Sequence, residues 1–333
     1  MRKVLLVTGP GGDAQGWGNM KVTETVCETL NTGNLAAEIA DVTTKDEFLK
    51  AISSRSFDIV WSALYYITQR EDIIGLSDDD EWVADMLDER GIPYIGPNSL
   101  TMKQLIQKSE THRIMHESGV LVPANKLVAA GDALPEVTYP AFVKPNCESR
   151  SIGISDDSVV HNPEELARRI RYVHEALAQP ALIEEFLPGD EYTVLMLGNG
   201  RLQEILPGLV TVEKSHFGRH QILRSDLRGV GLTKISIPTE RVEEARELTK
   251  KATDALECWD HVRVDLRVDA QGRLRVMEVN GIPGLKPVKS WSPQIYSLYH
   301  PSPGGHMEEY RSMLHLIVRS ALERHGIRAS GRS

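Results

Sequence analysis

The sequence predicts an α/β (α+β) chain of three units, and three observations predict it. The first hundred residues alternate apolar runs with helical stretches, the pattern of a parallel sheet with helices on its faces. Two later segments, 192–206 and 261–280, read as strand–turn–strand hairpins. The length of 333 residues allows two or three compact units with cores of their own.

Each element has a local reason. Val4–Thr8 is apolar and β-branched, a first strand, and Gly9-Pro-Gly-Gly12 is the loop after it. Val22–Leu30 reads as helix, Ala37–Val42 as extended, Phe57–Ser62 as strand and Glu81–Arg90 as helix. Ile92–Gly96 is extended and is closed by Pro97-Asn98. Ser99 opens a helix to Ser118, stopped by Gly119 and Pro123. Pro140–Pro145 is extended. Asn162-Pro-Glu-Glu165 starts a helix with an N-cap, a proline at the first position and a glutamate at the third. That helix ends near Pro180, and a strand follows at Ala181–Leu187.

Tyr192–Leu197 and Leu202–Leu206 flank the turn Gly198-Asn-Gly200. From Gly208 to Gly231 the chain is polar and glycine-bearing, with Lys214, His216, Arg219, His220, Arg224 and Arg228. A loop of that length is a functional lid or a disordered linker. Thr239 caps a helix running to about Leu256, and 328–333 reads as a frayed tail. The units expected are 1–98, 99–190 and 191–333, with the lid at about 208–231.

Composition excludes several classes of function. With 41% hydrophobic and 26% charged residues, wholesale disorder has no support. A net charge of −9 argues against a general nucleic-acid surface. No apolar run approaches the roughly 18 residues of a membrane span, and the first strand is too short to read as a signal peptide. Cys27, Cys147 and Cys258 are far apart, odd in number and without metal-ligand spacing, so unpaired thiols and a cytoplasmic address are expected.

The segment from His261 to Asn280 carries the most chemistry. Residues 262, 264, 266 and 268 are Val, Val, Leu and Val, whereas 263, 265 and 267 are Arg, Asp and Arg. Successive side chains on a strand point to opposite faces, so one face is apolar and the other strongly polar. A two-residue turn at Ala270-Gln271 would pair Arg263 with Glu278 and leave Asp265 diagonal to it. Asp265, Glu278 and Asn280 then offer two carboxylates and an amide on one face. That set suits a hard divalent cation, above all Mg²⁺ carried by a nucleotide.

Four pieces follow in order: Lys108; Phe142-Val-Lys-Pro-Asn-Cys-Glu-Ser-Arg-Ser-Ile-Gly153; Leu182-Ile-Glu-Glu-Phe-Leu-Pro-Gly-Asp-Glu-Tyr-Thr193; and Arg263 to Gly284. Together they resemble the ATP-grasp enzymes, and specifically the D-alanine–D-alanine ligase family, from about Ile92 to Leu298. The resemblance implies an ATP-grasp fold with nucleotide between the second and third units. It implies an ATP-dependent carboxylate–amine ligase that works through an acyl phosphate. ATP is the nucleotide implied, with two Mg²⁺ ions for which Mn²⁺ can substitute. A homodimer acting on small amino-acid-like substrates, without nucleic acid or membrane, is expected by the same likeness.

Residue by residue, the resemblance makes Lys108 and Lys144 phosphate ligands, and Glu148, Ser149, Arg150 and Ser151 the loop that covers the phosphates. Glu184, Glu185, Phe186 and Leu187 match the adenine hinge, and Glu191 the carboxylate for the ribose hydroxyls. Lys214 matches the lid lysine. Asp265, Glu278 and Asn280 match the metal ligands. Arg263, with the Gly284 N–H, matches the group that stabilises the acyl phosphate and the tetrahedral oxyanion.

The substrate side departs from that family's pattern. Tyr65-Tyr66 stands where a His-Gly pair is expected, Arg150 where the loop serine is, and Ser215 where a tyrosine is. Lys289-Ser290 replaces the Ser-Leu pair that holds the substrate carboxylate, Lys286 lies close by, and Gly12–Gly18 offers no clear match for the amine-binding glutamate. Altered substrates are therefore expected, with at least one carrying an extra anion or a larger side chain. The alternatives are a D-alanine–D-alanine ligase proper, an ATP-binding protein without catalysis, and a nicotinamide enzyme. The last rests on Gly9–Ala14, a loose dinucleotide fingerprint in which Pro10 removes a backbone donor.

Overall fold

A computed structural model describes residues 1–71, 79–227 and 231–327. Arg228 and the tail at 328–333 lie outside the described residues. In chain order the first unit is β1 (Arg2–Thr8), α1 (Gly12–Gln15), α2 (Met20–Leu30), β2 (Leu35–Asp41), α3 (Lys45–Ser54), β3 (Ile59–Ser62), β4 (Tyr66–Ile67), β5 (Glu81–Trp82), α4 (Val83–Asp88) and β6 (Tyr94–Ile95). Its main sheet runs β2-β1-β3-β6, with every pairing parallel. The helix α3, absent from the sequence reading, is capped by Thr44, whose side chain accepts from the Glu47 N–H.

The expected single helix at 99–118 is two, α5 (Ser99–Ile106) and α6 (Lys108–Glu117). Gln107 between them leaves helical geometry at φ −91° and ψ 94°. The break places Lys108 at the first turn of α6, and the Lys108 N–H donates to the Asn146 carbonyl at 3.1 Å. Next come β7 (Asn125–Val128), β8 (Ala141–Pro145), β9 (Val159–Val160), α7 (Pro163–Leu177) and β10 (Ala181–Glu185). The sheet order is β7-β10-β8-β9, all antiparallel. Asn162 caps α7 as its sequence demands.

The remaining strands and helices are β11 (Glu191–Leu197), β12 (Glu204–Val212), β13 (Thr233–Ser236), α8 (Val242–Ala255), β14 (His261–Val268), β15 (Leu274–Asn280), α9 (Trp291–Tyr299) and α10 (His306–Arg324). They form an antiparallel sheet ordered β13-β12-β11-β14-β15. Thr239 does not cap α8; Arg241, at φ 57°, occupies that position without a side-chain bond. β12 also runs six residues beyond its expected end at Leu206, because Leu209–Val212 pairs with β13.

Three apolar cores hold the layers together. One joins the first sheet to α9 and α10 through Phe48, Trp61, Tyr310 and Ile317. Another lies under β14 and α8, and takes in Val262, Val264 and Leu266, the apolar face read from the sequence. The third packs α7 on β8 and β10. Among the described residues no helix is long and apolar enough to cross a membrane.

Candidate active site

The hairpin of β14 and β15 differs from its expected register. Asp265 faces Glu278 directly, and Arg263 faces Asn280. The turn spans three residues rather than two, because the Asp269 carboxylate accepts from the N–H groups of Gln271 and Arg273 and the Asp269 N–H donates to the Arg273 carbonyl. Gly272, at φ +77°, supplies the left-handed residue such a turn requires. A register shift between Asp265 and Leu266 leaves Met277 as an extra residue in β15. The two carboxylates are thereby brought opposite one another, closer than the diagonal arrangement expected.

Around them a charged network closes. Arg263 Nε and Nη2 donate to the two Asp265 oxygens at 3.0 and 2.8 Å, and the Thr193 hydroxyl donates to Asp265 Oδ1 at 2.8 Å. Asn280 Nδ2 lies 3.4 Å from Asp265 Oδ2. Lys108, only 7% exposed, reaches Glu278 Oε1 at 3.2 Å and donates to the Glu148 carbonyl. Lys108 is thus no solvated helix lysine.

Lys144, also buried, lies 2.7 Å from Glu184 Oε1. On the far side of Glu184 sits His112, which the sequence reading missed; Nδ1 is 3.5 Å from the same oxygen, and Nε2–H donates to the Met277 carbonyl at 2.9 Å. Burial holds the His112 imidazole below its ordinary pKa despite the neighbouring carboxylate. The only hint in the sequence is its spacing of one helical turn from Lys108, which puts both on one face of α6.

Lys108, Lys144, Glu148, Ser151, Glu191, Asp265 and Glu278 line one cleft between the second and third sheets. An adjoining recess is walled by Glu184, Glu185, Phe186, Leu187, Ile222 and Met277. A flat apolar recess beside buried cations and paired carboxylates has the shape and polarity of a nucleotide site. Ile222 and Leu223, 2% and 8% exposed, come down from the long loop and were not singled out from sequence. Asp156 holds that loop by accepting from the Arg219 and His220 N–H groups at 3.0 and 3.4 Å. Lys214, expected to close over the phosphates, lies instead on an exposed turn, Lys214–His216, and is not among the residues lining the cleft.

The remaining expected residues fall into two groups. Ser149 and Arg150 contact the first unit: the Ser149 hydroxyl donates to the Ala14 carbonyl at 2.9 Å, and Arg150 pairs with Asp13 at 2.8 Å. Arg150 is therefore matched by a carboxylate. Gly284 packs so closely that a Cβ there would stand 2.9 Å from the Gly16 carbonyl and 2.8 Å from Ser290 Oγ. Lys286 and Lys289 are exposed on the loop before α9, and Ser290 Oγ accepts from the Lys286 N–H at 2.9 Å. Tyr65, buried, accepts from both the Gly281 and Ile282 N–H groups at 3.0 Å, so it ties the first unit to the strand that carries Asn280.

Asp265, Glu278 and Asn280 fit a magnesium ion in donor type: two opposed carboxylates and an amide, all hard oxygen donors, with Lys108 and Arg263 matching their charge. Residues 9–14 do not form a dinucleotide turn, since α1 is a single turn with no length to act as a phosphate-binding helix.

Comparison with known proteins follows the same lines. The profile of the D-ala D-ala ligase C-terminus family matches residues 124–297. An uncharacterized protein, y4sG, of Sinorhizobium fredii is 31% identical over 61% of this chain, and the match spans 61% of that relative's length. D-alanine–D-alanine ligase of Desulforudis audaxviator is 26% identical over 86% of this chain and 90% of its own. The crystal structure of D-alanine–D-alanine ligase from Bacillus anthracis complexed with ATP superposes with a TM-score of 0.69 at 21% identity, covering 98% of this chain and 99% of that one. The chain belongs to the D-alanine–D-alanine ligase family of ATP-dependent, ADP-forming ligases, and it carries the ATP-grasp fold.

Proposed function

We propose that the chain joins a carboxylate to an amine at the cost of ATP, and that its substrates are not two D-alanines. One observation carries the ligase reading: Asp265 directly opposite Glu278 in one cleft with Lys108 and Lys144, and Arg263 and Asn280 set against Asp265. A protein that only stored ATP would have no use for that set. Buried Lys108 and Lys144 supply positive charge for the phosphates. The Glu184–Leu187 segment takes the adenine, and Glu191 takes the ribose.

A substrate carboxylate oxygen attacks the γ-phosphorus, ADP leaves, and an acyl phosphate forms. The amine nitrogen then attacks the acyl carbon and gives up a proton to solvent, and phosphate departs with the carbon–oxygen electron pair. Arg263 and the Gly284 N–H sit to neutralise the oxyanion of that second step. Asp265, Glu278 and Asn280 would hold magnesium, which supplies charge neutralisation on the transferring oxygens.

Altered specificity is supported by the rebuilt acceptor side. Lys289-Ser290 and Lys286 border Gly284, while the added charge of Arg150 is already met by Asp13. The cationic surplus therefore rests on the two lysines and favours a substrate with an additional anion. We further propose three units with breaks near 98 and 190, a lid at about 208–231, a homodimer, and a cytoplasmic site of action.

The test is ADP release against a matrix of paired amino acids, with product mass identified. Amine-dependent ADP formation and a condensed product are expected. ADP formation absent for every pair would refute the ligase reading, and turnover of D-alanine alone at ordinary enzymatic rates would refute the altered specificity.

A further inference from the structure

Arg263 is gripped from two directions. Asp265 takes Nε and Nη2 in the guanidinium plane at 3.0 and 2.8 Å, and the Trp291 ring covers its face with Cζ 5.0 Å from the ring centroid. An in-plane carboxylate fixes the edge of the fork but leaves it free to swing out of plane, and an aromatic wall blocks that swing. The first turn of α9 is itself anchored to β14. The Ser292 hydroxyl meets His261 Nε2 at 3.1 Å, two residues before Arg263 on the same strand face. Gln294 Nε2 donates to the Lys289 carbonyl at 2.8 Å, which fixes the loop leading into the helix. Ser290, the neighbour of Trp291, is one of two residues that a Cβ on Gly284 would strike, with Gly16. Two consecutive residues thus lie against the two groups assigned to the oxyanion, Trp291 on Arg263 and Ser290 beside Gly284.

We propose that Trp291 is a positioning residue for Arg263, and that Ser290-Trp291 sets the geometry of the acyl-transfer centre from the start of α9. This rests on the reading of Arg263 given above. The ring stacks on Arg263, so its effect is expected on turnover and not on ATP binding.

The experiment compares Trp291→Phe and Trp291→Leu in the full chain. ADP release is followed with saturating ATP and magnesium and a mixture of D- and L-amino acids, and the Arg263 Nε–H resonance is followed by NMR. Trp291→Leu is expected to lower the maximal rate about tenfold or more, with KM for ATP within about twofold of native. It should also remove the ring-current shift of Arg263. Trp291→Phe should restore most of the rate and keep the shift. Native turnover in Trp291→Leu, or equal loss in both variants, would overturn the inference. Arg263→Ala separates the two readings: full activity there refutes the role of Arg263, whereas inactivity beside a fully active Trp291→Leu refutes only the role of the ring. If the native chain releases no ADP, the ligase reading fails, and the resonance alone decides whether Trp291 holds Arg263.

Discussion

Asp265 illustrates how much one carboxylate is asked to do, since Arg263, Thr193 and Asn280 all turn toward it. Asp265→Asn preserves its shape while removing the charge and turning one of its two accepting oxygens into a donor. Turnover should fall by about 10²–10³ and Tm should fall with it, because Arg263 loses its enclosed counter-charge, read from ADP release and thermal melting. Lys144→Ala is a different case. It strips the nearest cation from Glu184, which is 4% exposed, and an uncompensated buried charge costs about 3–5 kcal/mol. Both a raised KM for ATP and a lower denaturant midpoint are expected. Lys108 and Lys144 were legible as candidates only because of their place in the ordered set; their burial was not legible, since it depends on neighbours distant in sequence.

His261 makes a prediction in pH. Burial pushes its imidazole down to about 3, and the ring stays neutral against Ser292. The unfolded chain takes up a proton below about pH 6.5 that the folded chain refuses, so stability is lost on acidification from there toward about pH 3, at up to about 1.4 kcal/mol per pH unit. His261→Gln should flatten that dependence, measured as urea midpoints between about pH 6.5 and about pH 4. A midpoint curve identical to that of the native chain would assign the acid loss elsewhere.

Among the elements, periodicity carried the reading well and register did not. The apolar face of β14 was plain from alternate residues, and Asn162-Pro-Glu-Glu165 announced α7. The pairing of β15 turned on Asp269, whose carboxylate widens the turn, and on the bulge at Met277, whose carbonyl meets His112. Neither shows in alternation of apolar and polar residues: the first is a side-chain bond inside the turn, and the second is settled by His112, outside the hairpin. The long loop was legible as a loop by length and composition. Its contact residues were not, for Ile222 and Leu223 are two apolar residues in a polar stretch with no periodicity. Asp156→Ala removes the acceptor for the Arg219 and His220 N–H groups and should loosen the loop. KM for ATP should then rise several-fold, with faster proteolysis within 213–227; unchanged protease sensitivity would show that Ile222 and Leu223 suffice to hold it.

Across the molecule the sheets and helices are bound by a few polar ties as well as by apolar packing. Tyr65 reaches from the first unit to Gly281 and Ile282, and Asp260 joins three elements at once. The Asp260 carboxylate, wholly buried, accepts from the Gly96 N–H at 2.8 Å, from Asn199 Nδ2 at 2.5 Å and from Arg324 Nη2 at 2.7 Å. It thus links the end of β6, the β11–β12 turn and the last turn of α10. Removing it leaves Arg324 half enclosed against Trp259 and orphans the Gly96 N–H, a loss of about 3–5 kcal/mol. Asp260 touches none of the residues lining the nucleotide cleft, so Asp260→Ala should lower the denaturant midpoint strongly while KM for ATP stays near native. A variant that kept its midpoint would mean that the shared core of Tyr310, Ile317 and Trp61 alone holds α10 to the first sheet.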